Sequence, residues 1–475
     1  MNKNSAVKIS IVTAITIAVA DMVGIGVFTS LGWQVLGGIT SGFSIIALWT
    51  LGGLVALCGA LCYAELATMF PRSGGEYNFL SRTYHPAVGF MSGWLSATVG
   101  FAAPIAVAAM AFGGYFKGAI PEVNSVSETI KTATGGTITD GVPLILGLGL
   151  VWLVTALQLR GVKNSSLFQN VSTIIKIGLI LALIVFGFTT ATPQPTSFIP
   201  SNVDFAQIFG VSFAISLVYV MFSYSGWNAS TYIIDEVKEP EKTLPKAMLI
   251  ATVVVTVLYV TLNAVFMYVT PIEAMTFTTD SGIKLAKNEI ALVAGQYIFG
   301  DVGSKILAGL ICFGLISTVS AMIWIGSRVT MVMGEDLPLL SVFSFKNNAG
   351  VPAIALLTQA LIVTGLICTQ SFDGIIKYIS FSILVSSFAT VLGVIVLRYT
   401  QPDLPRPYKT WLYPVTPIIF LAVTLFMMGY MLYDENSRMQ SLAGLATIFS
   451  GLIVYYINVF STKSKLSTEP LRETS

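Results

Sequence analysis

The sequence predicts an all-α polytopic membrane protein with 12 transmembrane helices, of which the first and the sixth are broken near their middle. Of its 475 residues, 55% are hydrophobic and only 10% are charged, and the mean hydropathy is +0.81. Soluble proteins carry about 25% charged residues. Apolar runs long enough to cross a hydrocarbon core of ~30 Å recur along the whole chain, and short glycine-containing breaks interrupt two of them.

Twelve apolar runs qualify as membrane-spanning helices. They are much longer than the ~10 residues of a membrane β-strand and lack its sustained alternation, so strands are not plausible. A short surface helix is also expected within 288–299, in the loop before span eight. The predicted spans are 9–34, 41–69, 87–116, 142–159, 165–189, 205–234, 247–270, 303–333, 353–369, 375–398, 412–433 and 441–461.

The distribution of Lys and Arg predicts the orientation. With a cytoplasmic N-terminus, seventeen basic residues would be assigned to the inner side and seven to the outer side, and the remaining one, Lys176, would lie within span five. Cytoplasmic loops carry the excess of Lys and Arg in membrane proteins. We therefore expect a multi-pass protein of the cell membrane (inner or plasma membrane) with both termini in the cytoplasm.

The breaks in spans one and six are the sharpest signal in the chain. Glycine permits the backbone conformations that a break requires, and lipid cannot satisfy the N–H and C=O groups that a break frees. The first break would offer N–H groups to a carboxylate, and the second would offer carbonyl groups to an ammonium. Close helix packing is the alternative for the first break. The candidate substrate-binding residues are Val23, Gly24, Ile25, Gly26, Phe222, Ser223, Tyr224, Ser225, Gly226 and Trp227.

Lys176 and Asp21 are charged residues inside predicted spans. A charge deep in a span is costly and usually functional, whereas a lysine near a helix end can extend to the headgroups. Lys176 lies about twelve residues into span five and Asp21 three residues before Gly24. We hypothesise that the two share a hydrogen-bonded network that serves gating or proton coupling. Alternatively, Asp21 caps the break or faces a cytoplasmic vestibule.

Few residues in the chain suit catalysis or metal binding. The four cysteines fall in apolar runs, and the single histidine, His85, lies in a loop. Intramembrane proteolysis or metal chemistry needs grouped Asp, His or Glu at mid-depth, and a sensor would add a soluble domain. We therefore expect no enzyme, no metal, no cofactor and no nucleic-acid partner. Glu65 is expected to form a structural ion pair with the nearby Arg72.

Several motifs together resemble the amino acid–polyamine–organocation (APC) superfamily, and within it the L-type amino acid transporter branch and its bacterial relatives. The resemblance runs from span one to at least span ten. Its motifs are GIGVF at 24–28, YAELATMFPRSGGEY at 63–77, GFMSGW at 89–94, FSYSGW at 222–227, EVKEP at 236–240 and Leu244-Pro245.

The resemblance implies the leucine-transporter fold, in which five helices are followed by five inverted helices and two more. It divides a single transport domain into 8–200 (first repeat), 201–400 (inverted repeat), 410–462 (helices 11 and 12) and a disordered cytoplasmic tail at 463–475. It also implies alternating access around a central amino acid site. In similar proteins a span-five lysine lies where sodium binds in sodium-coupled members, so Lys176 implies proton coupling or sodium-independent transport. Ser317 and Thr318 would lie near the same position.

The charges of the predicted core favour a neutral amino acid. Only Asp21 and Glu65 place carboxylates in the spans considered, and a polyamine or a cationic side chain should meet more of them. A polyamine or cationic amino acid antiporter is the alternative, and exchange remains open beside proton symport. L-type light chains pair with a partner through an outer-loop cysteine. No cysteine falls in a predicted outer loop, so we expect no covalent partner subunit.

Overall fold

The computed structural model describes residues 9–133, 141–161, 165–208, 210–279, 282–369 and 371–468. Within these ranges ten helices are long and apolar enough to cross a membrane, and two shorter apolar helices, Val211–Tyr224 and Ala353–Thr369, complete a set of twelve. This confirms the predicted all-α, polytopic class. The number and order of spans also agree with the prediction.

The helices follow the apolar runs closely, because each run is bounded by polar, glycine or proline residues. In chain order they are α1 (Ile11–Met22), α2 (Gly26–Leu36), α3 (Gly42–Met69), α4 (Glu76–Thr83), α5 (Pro86–Leu95), α6 (Ala102–Ala119), α7 (Asn124–Ala133), α8 (Gly141–Leu159) and α9 (Ser165–Thr190). They continue with α10 (Asn202–Gln207), α11 (Val211–Tyr224), α12 (Pro240–Val269), α13 (Ile290–Asp336), α14 (Ala353–Thr369), α15 (Phe372–Thr400), α16 (Val415–Tyr433) and α17 (Glu435–Thr468).

Spans one and six are both discontinuous, as predicted. Span one consists of α1 and α2, separated by three non-helical residues. Span six begins as α11, turns at Ser225 to Asn228 and continues as a 3₁₀ helix over Ala229–Glu236. Gly226 has φ = 105°, a conformation that only glycine adopts without strain.

Two further helices are irregular. Span three joins α5 to α6 through one π-helical turn, Ser96–Gly100, a feature that the apolar pattern did not predict and that is frequent at functional sites. Helix α13 contains a non-helical residue, Gly300 (φ = 69°). The turns before Gly300 form the expected short surface helix, and those after it form span eight.

The loop before α13 also carries a small hairpin. Strands β1 (Thr276–Thr278) and β2 (Lys284–Ala286) pair antiparallel, with Phe277 opposite Leu285. The hairpin lies beside α2 and therefore helps to cover the second half of the first broken span.

Burial separates the helices at the centre of the bundle from those at its edge. In span three 67% of the most apolar window is buried within the protein, whereas the corresponding value for span twelve is 22%. The exposed side chains at the edge include large apolar residues such as Ile453 and Phe460, as expected for surfaces that face lipid. Spans one, three, six, eight, ten and eleven contribute residues to the cavity described below.

Two expectations need correction. Glu65 does not pair with Arg72 but with Arg398, at 2.7 Å, and Arg406, at 3.5 Å, because span ten and the segment after it pack against the C-terminal end of α3. Arg72 instead pairs with Asp336 at 2.6 Å. Helix α17 continues to Thr468, beyond the expected start of a disordered tail at 463, because no glycine or proline interrupts it. Residues 469–475 lie outside the described ranges.

Candidate substrate and coupling site

The two helix breaks pack directly against each other. A Cβ atom at Gly26 would lie 2.5 Å from Ser223 Oγ and 2.7 Å from Ser223 Cα. The hydroxyl groups of Ser30 and Ser223 are hydrogen-bonded at 2.9 Å. A Cβ atom at Gly226 would lie 2.7 Å from Asp21 Oδ2. The glycines therefore allow the two unwound segments to approach within van der Waals distance.

Some of the backbone N–H and C=O groups that the breaks free from the helices are hydrogen-bonded to other protein groups, and others make no backbone hydrogen bond. The hydroxyl of Tyr259 donates to the carbonyl of Met22 at 2.6 Å, where span one breaks. The N–H groups of Ile25, Gly26 and Val27 make no backbone hydrogen bond within the described parts of the chain. These groups stand at the N-terminus of α2, where a helix dipole favours negative charge.

A cavity of about 100 Å³ adjoins the break in span six. Four of the predicted substrate-binding residues (Phe222, Ser225, Gly226 and Trp227) line it, as does Asp21. The other six lie at the breaks but do not line the cavity in this conformation. Further lining residues with polar side chains include Glu76, Tyr232 and Ser387.

Lys176 lies where spans one, five and eight meet. Its side chain is 5% exposed, and its Nζ atom donates to Thr318 Oγ1 at 2.7 Å and to the carbonyl of Ala20 at 3.4 Å. The sequence therefore singled out a lysine and a threonine that do meet. Ser317, the neighbouring candidate, is fully buried.

Asp21 and Lys176 interact electrostatically, but no salt bridge joins them among the described residues. The Oδ1 atom of Asp21 is buried and has no hydrogen-bond partner in the described chain. The hypothesised network thus runs through the backbone next to Asp21, at Ala20, and not through the two charged groups directly.

Glu76 is an acidic cavity residue that sequence reasoning did not select. It is 5% exposed and begins α4, directly after Gly74 and Gly75, both of which have positive φ. The glycine pair was a signal that the chain turns sharply here. The apolar pattern placed the residue in an inner loop, however, and gave no reason to move it to the cavity.

Polar contacts close the bundle on the side of the breaks where α2 and α11 lie. The hydroxyl of Tyr219 on α11 donates to Asp373 on α15, and Lys377 pairs with the same carboxylate at 2.8 Å. Trp33 on α2 stacks on Tyr219 with ring centroids 5.9 Å apart, and its indole N–H donates to Asn288 at 3.1 Å. These contacts tie together α2, α11 and the first turns of α15.

Comparison with known proteins identifies the family. The family model described as amino acid permease matches residues 9–457. The b(0,+)-type amino acid transporter 1 of Mus musculus is 26% identical over 95% of this chain and 88% of its own length. The cystine/glutamate transporter of Homo sapiens is 26% identical over 96% and 86%. The large neutral amino acids transporter small subunit 2 of Mus musculus is 27% identical over 95% and 81%. The chain therefore belongs to the amino acid permease family of transport proteins.

Proposed function

We propose that this protein is a secondary active transporter that carries neutral L-amino acids across the cell membrane by alternating access. The observation that supports this proposal most directly is the contact between two broken helices beside a cavity in the interior of the bundle. Such breaks characterise the midplane binding sites of secondary transporters. The names of the relatives, all amino acid transporters, support the same class of substrate.

The breaks provide a binding mode that needs no charged side chain. The free N–H groups of Ile25, Gly26 and Val27 bind the substrate carboxylate, aided by the dipole of α2. The last turn of α11 has carbonyl groups without intrahelical donors, and these bind the substrate ammonium. The side chain of the substrate then extends into the cavity, past Phe222 and Trp227.

Lys176 takes the place of a bound cation in this proposal. Its ammonium group is held by a backbone carbonyl and a threonine hydroxyl, which are oxygen ligands of the kind that sodium prefers. Transport is therefore sodium-independent and operates as proton symport or as exchange.

The alternative substrate class is a polyamine or a cationic amino acid, taken up by antiport. The observation that favours it is that two carboxylates, Asp21 and Glu76, line the cavity. The sequence argument for a neutral substrate considered Asp21 and Glu65 but not Glu76. We rank the neutral substrate higher because the four hydroxyl donors around Glu76 already satisfy that carboxylate.

We propose further that the first five spans and the next five form inverted repeats and that both termini lie in the cytoplasm. We also propose that transport requires no covalently bound partner subunit. All four cysteines are free, and Cys368 at the end of α14 is the exposed one. A shift of the band in non-reducing electrophoresis of native membranes would contradict the last point.

Counterflow in proteoliposomes tests the proposal. Vesicles preloaded with one unlabelled amino acid are given a panel of labelled neutral, cationic and acidic amino acids, with and without a proton gradient, and vesicles without protein serve as the control. We expect neutral amino acids to accumulate faster than the others. Counterflow of arginine or a polyamine in preference to neutral amino acids would overturn the substrate assignment, and no counterflow with any compound would overturn the function.

The Lys176→Met variant separates symport from exchange. A neutral side chain of similar length should change the pH dependence of uptake between about pH 5 and pH 8 if Lys176 takes part in coupling. Unchanged uptake over that range would exclude Lys176 from proton coupling.

A further inference from the structure

Two carboxylates are buried near the C-terminal end of span two, and their surroundings differ in kind. Glu65 is 1% exposed. It receives two hydrogen bonds from Arg398, at 3.1 and 2.7 Å, and one from the backbone N–H of Thr410 at 2.7 Å, and Arg406 lies 3.5 Å away. All of these partners can only donate, and two are permanently charged. The surroundings of Glu65 therefore compensate a negative charge.

Glu76 has hydroxyl groups as its hydrogen-bond partners. The Tyr63 hydroxyl donates to Oε1, and Ser387 Oγ lies 3.3 Å from the same atom. Ser386 donates to Oε2 at 2.6 Å, and Ser92 Oγ lies 3.3 Å from that atom. None of these partners neutralises a negative charge on Glu76.

Hydroxyl partners suit a group that changes its protonation state. A hydroxyl donates to an ionised carboxylate and, after rotation about its C–O bond, accepts from a protonated carboxyl. Ser92 and Ser386 are also 2.7 Å apart, and either one can be the donor. The proton on Glu76 can thus come and go with rotations of hydroxyl groups only, whereas a proton on Glu65 would break an ion pair.

Among the residues that the structure describes, no basic group lies beside Glu76 to fix its charge. The titratable groups near it are Tyr63 from span two, Tyr232 from the second half of span six and Asp21 from span one, which also lines the cavity. The hydrogen-bonding side chains that spans three and ten bring to Glu76 are serines. Burial raises the pKa of Glu76 above its usual value, and the hydrogen bonds from the hydroxyl groups act in the opposite direction.

Glu76 is also connected to the break in span six. The ring of Tyr63, whose hydroxyl binds Glu76, lies edge-on to Trp227 with ring centroids 4.6 Å apart. Trp227 directly follows Gly226, the residue at which the helix turns. A change in the hydrogen bond between Glu76 and Tyr63 therefore reaches the proposed substrate site through a single aromatic contact.

We propose that Glu76 is a proton-binding site at the wall of the central cavity, distinct from Lys176, and that its protonation is part of the transport cycle. The proton enters from the cavity and binds one carboxylate oxygen, and the carboxyl group then donates to one of the serine oxygens. Only the link to transport rests on the proposed function. The binding of the proton itself is a property of this cluster.

Infrared difference spectroscopy on the purified protein tests proton binding without any substrate. We expect the C=O band of a protonated carboxyl group to appear as the pH falls from about 8 to about 5, and to be missing from that titration in Glu76→Gln. The matched control is Glu335→Gln, which changes a half-exposed carboxylate on α13 and should leave the buried-carboxyl band in place. A band that persists unchanged in Glu76→Gln would overturn the proposal.

A second variant keeps the proposal testable if Glu76→Gln does not fold. Ser386→Ala removes the 2.6 Å donor to the carboxylate, which stabilises the ionised form. The midpoint of the infrared titration should therefore move to higher pH. A midpoint that stays constant or moves to lower pH would contradict the assignment of the band to Glu76.

The pH dependence of thermal stability also tests whether Glu76 binds a proton, and the direction of the effect can be predicted. Because the pKa of Glu76 is raised in the folded protein, the folded state binds this proton more tightly than the unfolded chain. Stability from this source is present below the ordinary pKa of glutamate and is lost as the pH rises through the raised value. The melting temperature of Glu76→Gln should depend less on pH than that of the wild type.

Transport assays connect the site to function. A pH difference of one unit across the vesicle membrane supplies about 1.4 kcal/mol per proton. Proton-coupled uptake should therefore be faster with this gradient than without it. In Glu76→Gln the ratio of uptake with and without the gradient should fall to about one, while counterflow at equal pH persists. If that ratio stays at the wild-type value, Glu76 is not part of the cycle. If the wild type carries no amino acid but the infrared titration succeeds, the proposed function fails and the proton site stands.

Discussion

The contact between the two helix breaks can be tested with one methyl group. Gly26 is the first residue of α2, and its φ is not positive, so alanine there brings no backbone strain. The added Cβ would meet Ser223 Oγ at 2.5 Å, Ser223 Cα at 2.7 Å and Ser223 Cβ at 2.8 Å. Two of these atoms cannot move without the backbone of α11, so the contact is not relieved by a rotamer change.

The expected cost follows from the general effect of overfilling a packed interior. Inserting a methyl group into a well-packed site costs typically 1–3 kcal/mol, and the loss of a glycine from the unfolded chain returns about 0.4–1 kcal/mol. We expect Gly26→Ala to disfavour the packed arrangement of the breaks by about 1–2 kcal/mol. Relative to the unfolded chain, that is a change of about 5- to 30-fold in its population.

Gly24→Ala is the matched control, two residues away in the same break. Its Cβ would find Thr318 Cγ2 at 3.7 Å and no closer atom, which is ordinary van der Waals contact. In detergent, we expect Gly26→Ala to melt at lower temperature and to lose most counterflow activity, and Gly24→Ala to stay near wild type. Adding Ser223→Gly to Gly26→Ala removes two of the three clashing atoms and should restore part of both. Equal behaviour of Gly24→Ala and Gly26→Ala would refute the claim that the two breaks are in contact.

Three further predictions concern contacts elsewhere in the bundle. Tyr219→Phe removes the hydroxyl that binds Asp373, so a cysteine-reactive probe should reach an engineered thiol in the cavity from outside faster than in the wild type. Tyr259→Phe deprives the carbonyl at the end of α1 of its 2.6 Å donor, and we expect a loss of about 1–3 kcal/mol, seen as a lower melting temperature with unchanged substrate preference. Arg398→Met leaves Glu65 with one guanidinium partner. Because breaking a buried ion pair costs about 3–5 kcal/mol, the variant should elute mainly as aggregate in size-exclusion chromatography, and a monodisperse, wild-type-like peak would show that Arg406 alone suffices.

Local features of the chain were enough to predict the helices. Hydropathy over about twenty residues locates a span because the cost of placing polar groups in hydrocarbon applies segment by segment. The break at Gly226 could also be predicted, because a glycine in the middle of an apolar run permits a backbone conformation that other residues avoid. The π-helical turn at Ser96–Gly100 had no such signal, because its residues resemble those of the regular helix around it.

Contacts between residues that are distant in sequence could not be predicted from the sequence. Glu65 has an arginine seven residues away, yet it binds Arg398, 333 residues further along the chain. The meeting of Lys176 with Thr318, 142 residues apart, was anticipated only through the resemblance to a transporter family. Which side chains meet depends on which helices pack together and on how each helix is rotated about its own axis. A single sequence specifies neither the packing partners nor the rotation.

The sequence alone determined the membrane class, the number of spans and the two positions where helices break, because each of these follows from the free energy of a short segment in lipid. Only the tertiary structure placed Glu76 on the cavity wall among hydroxyl groups and gave Glu65 its arginines. Both residues are glutamates near the C-terminal end of span two, and their chemistry differs because helices from other parts of the chain provide different neighbours to each.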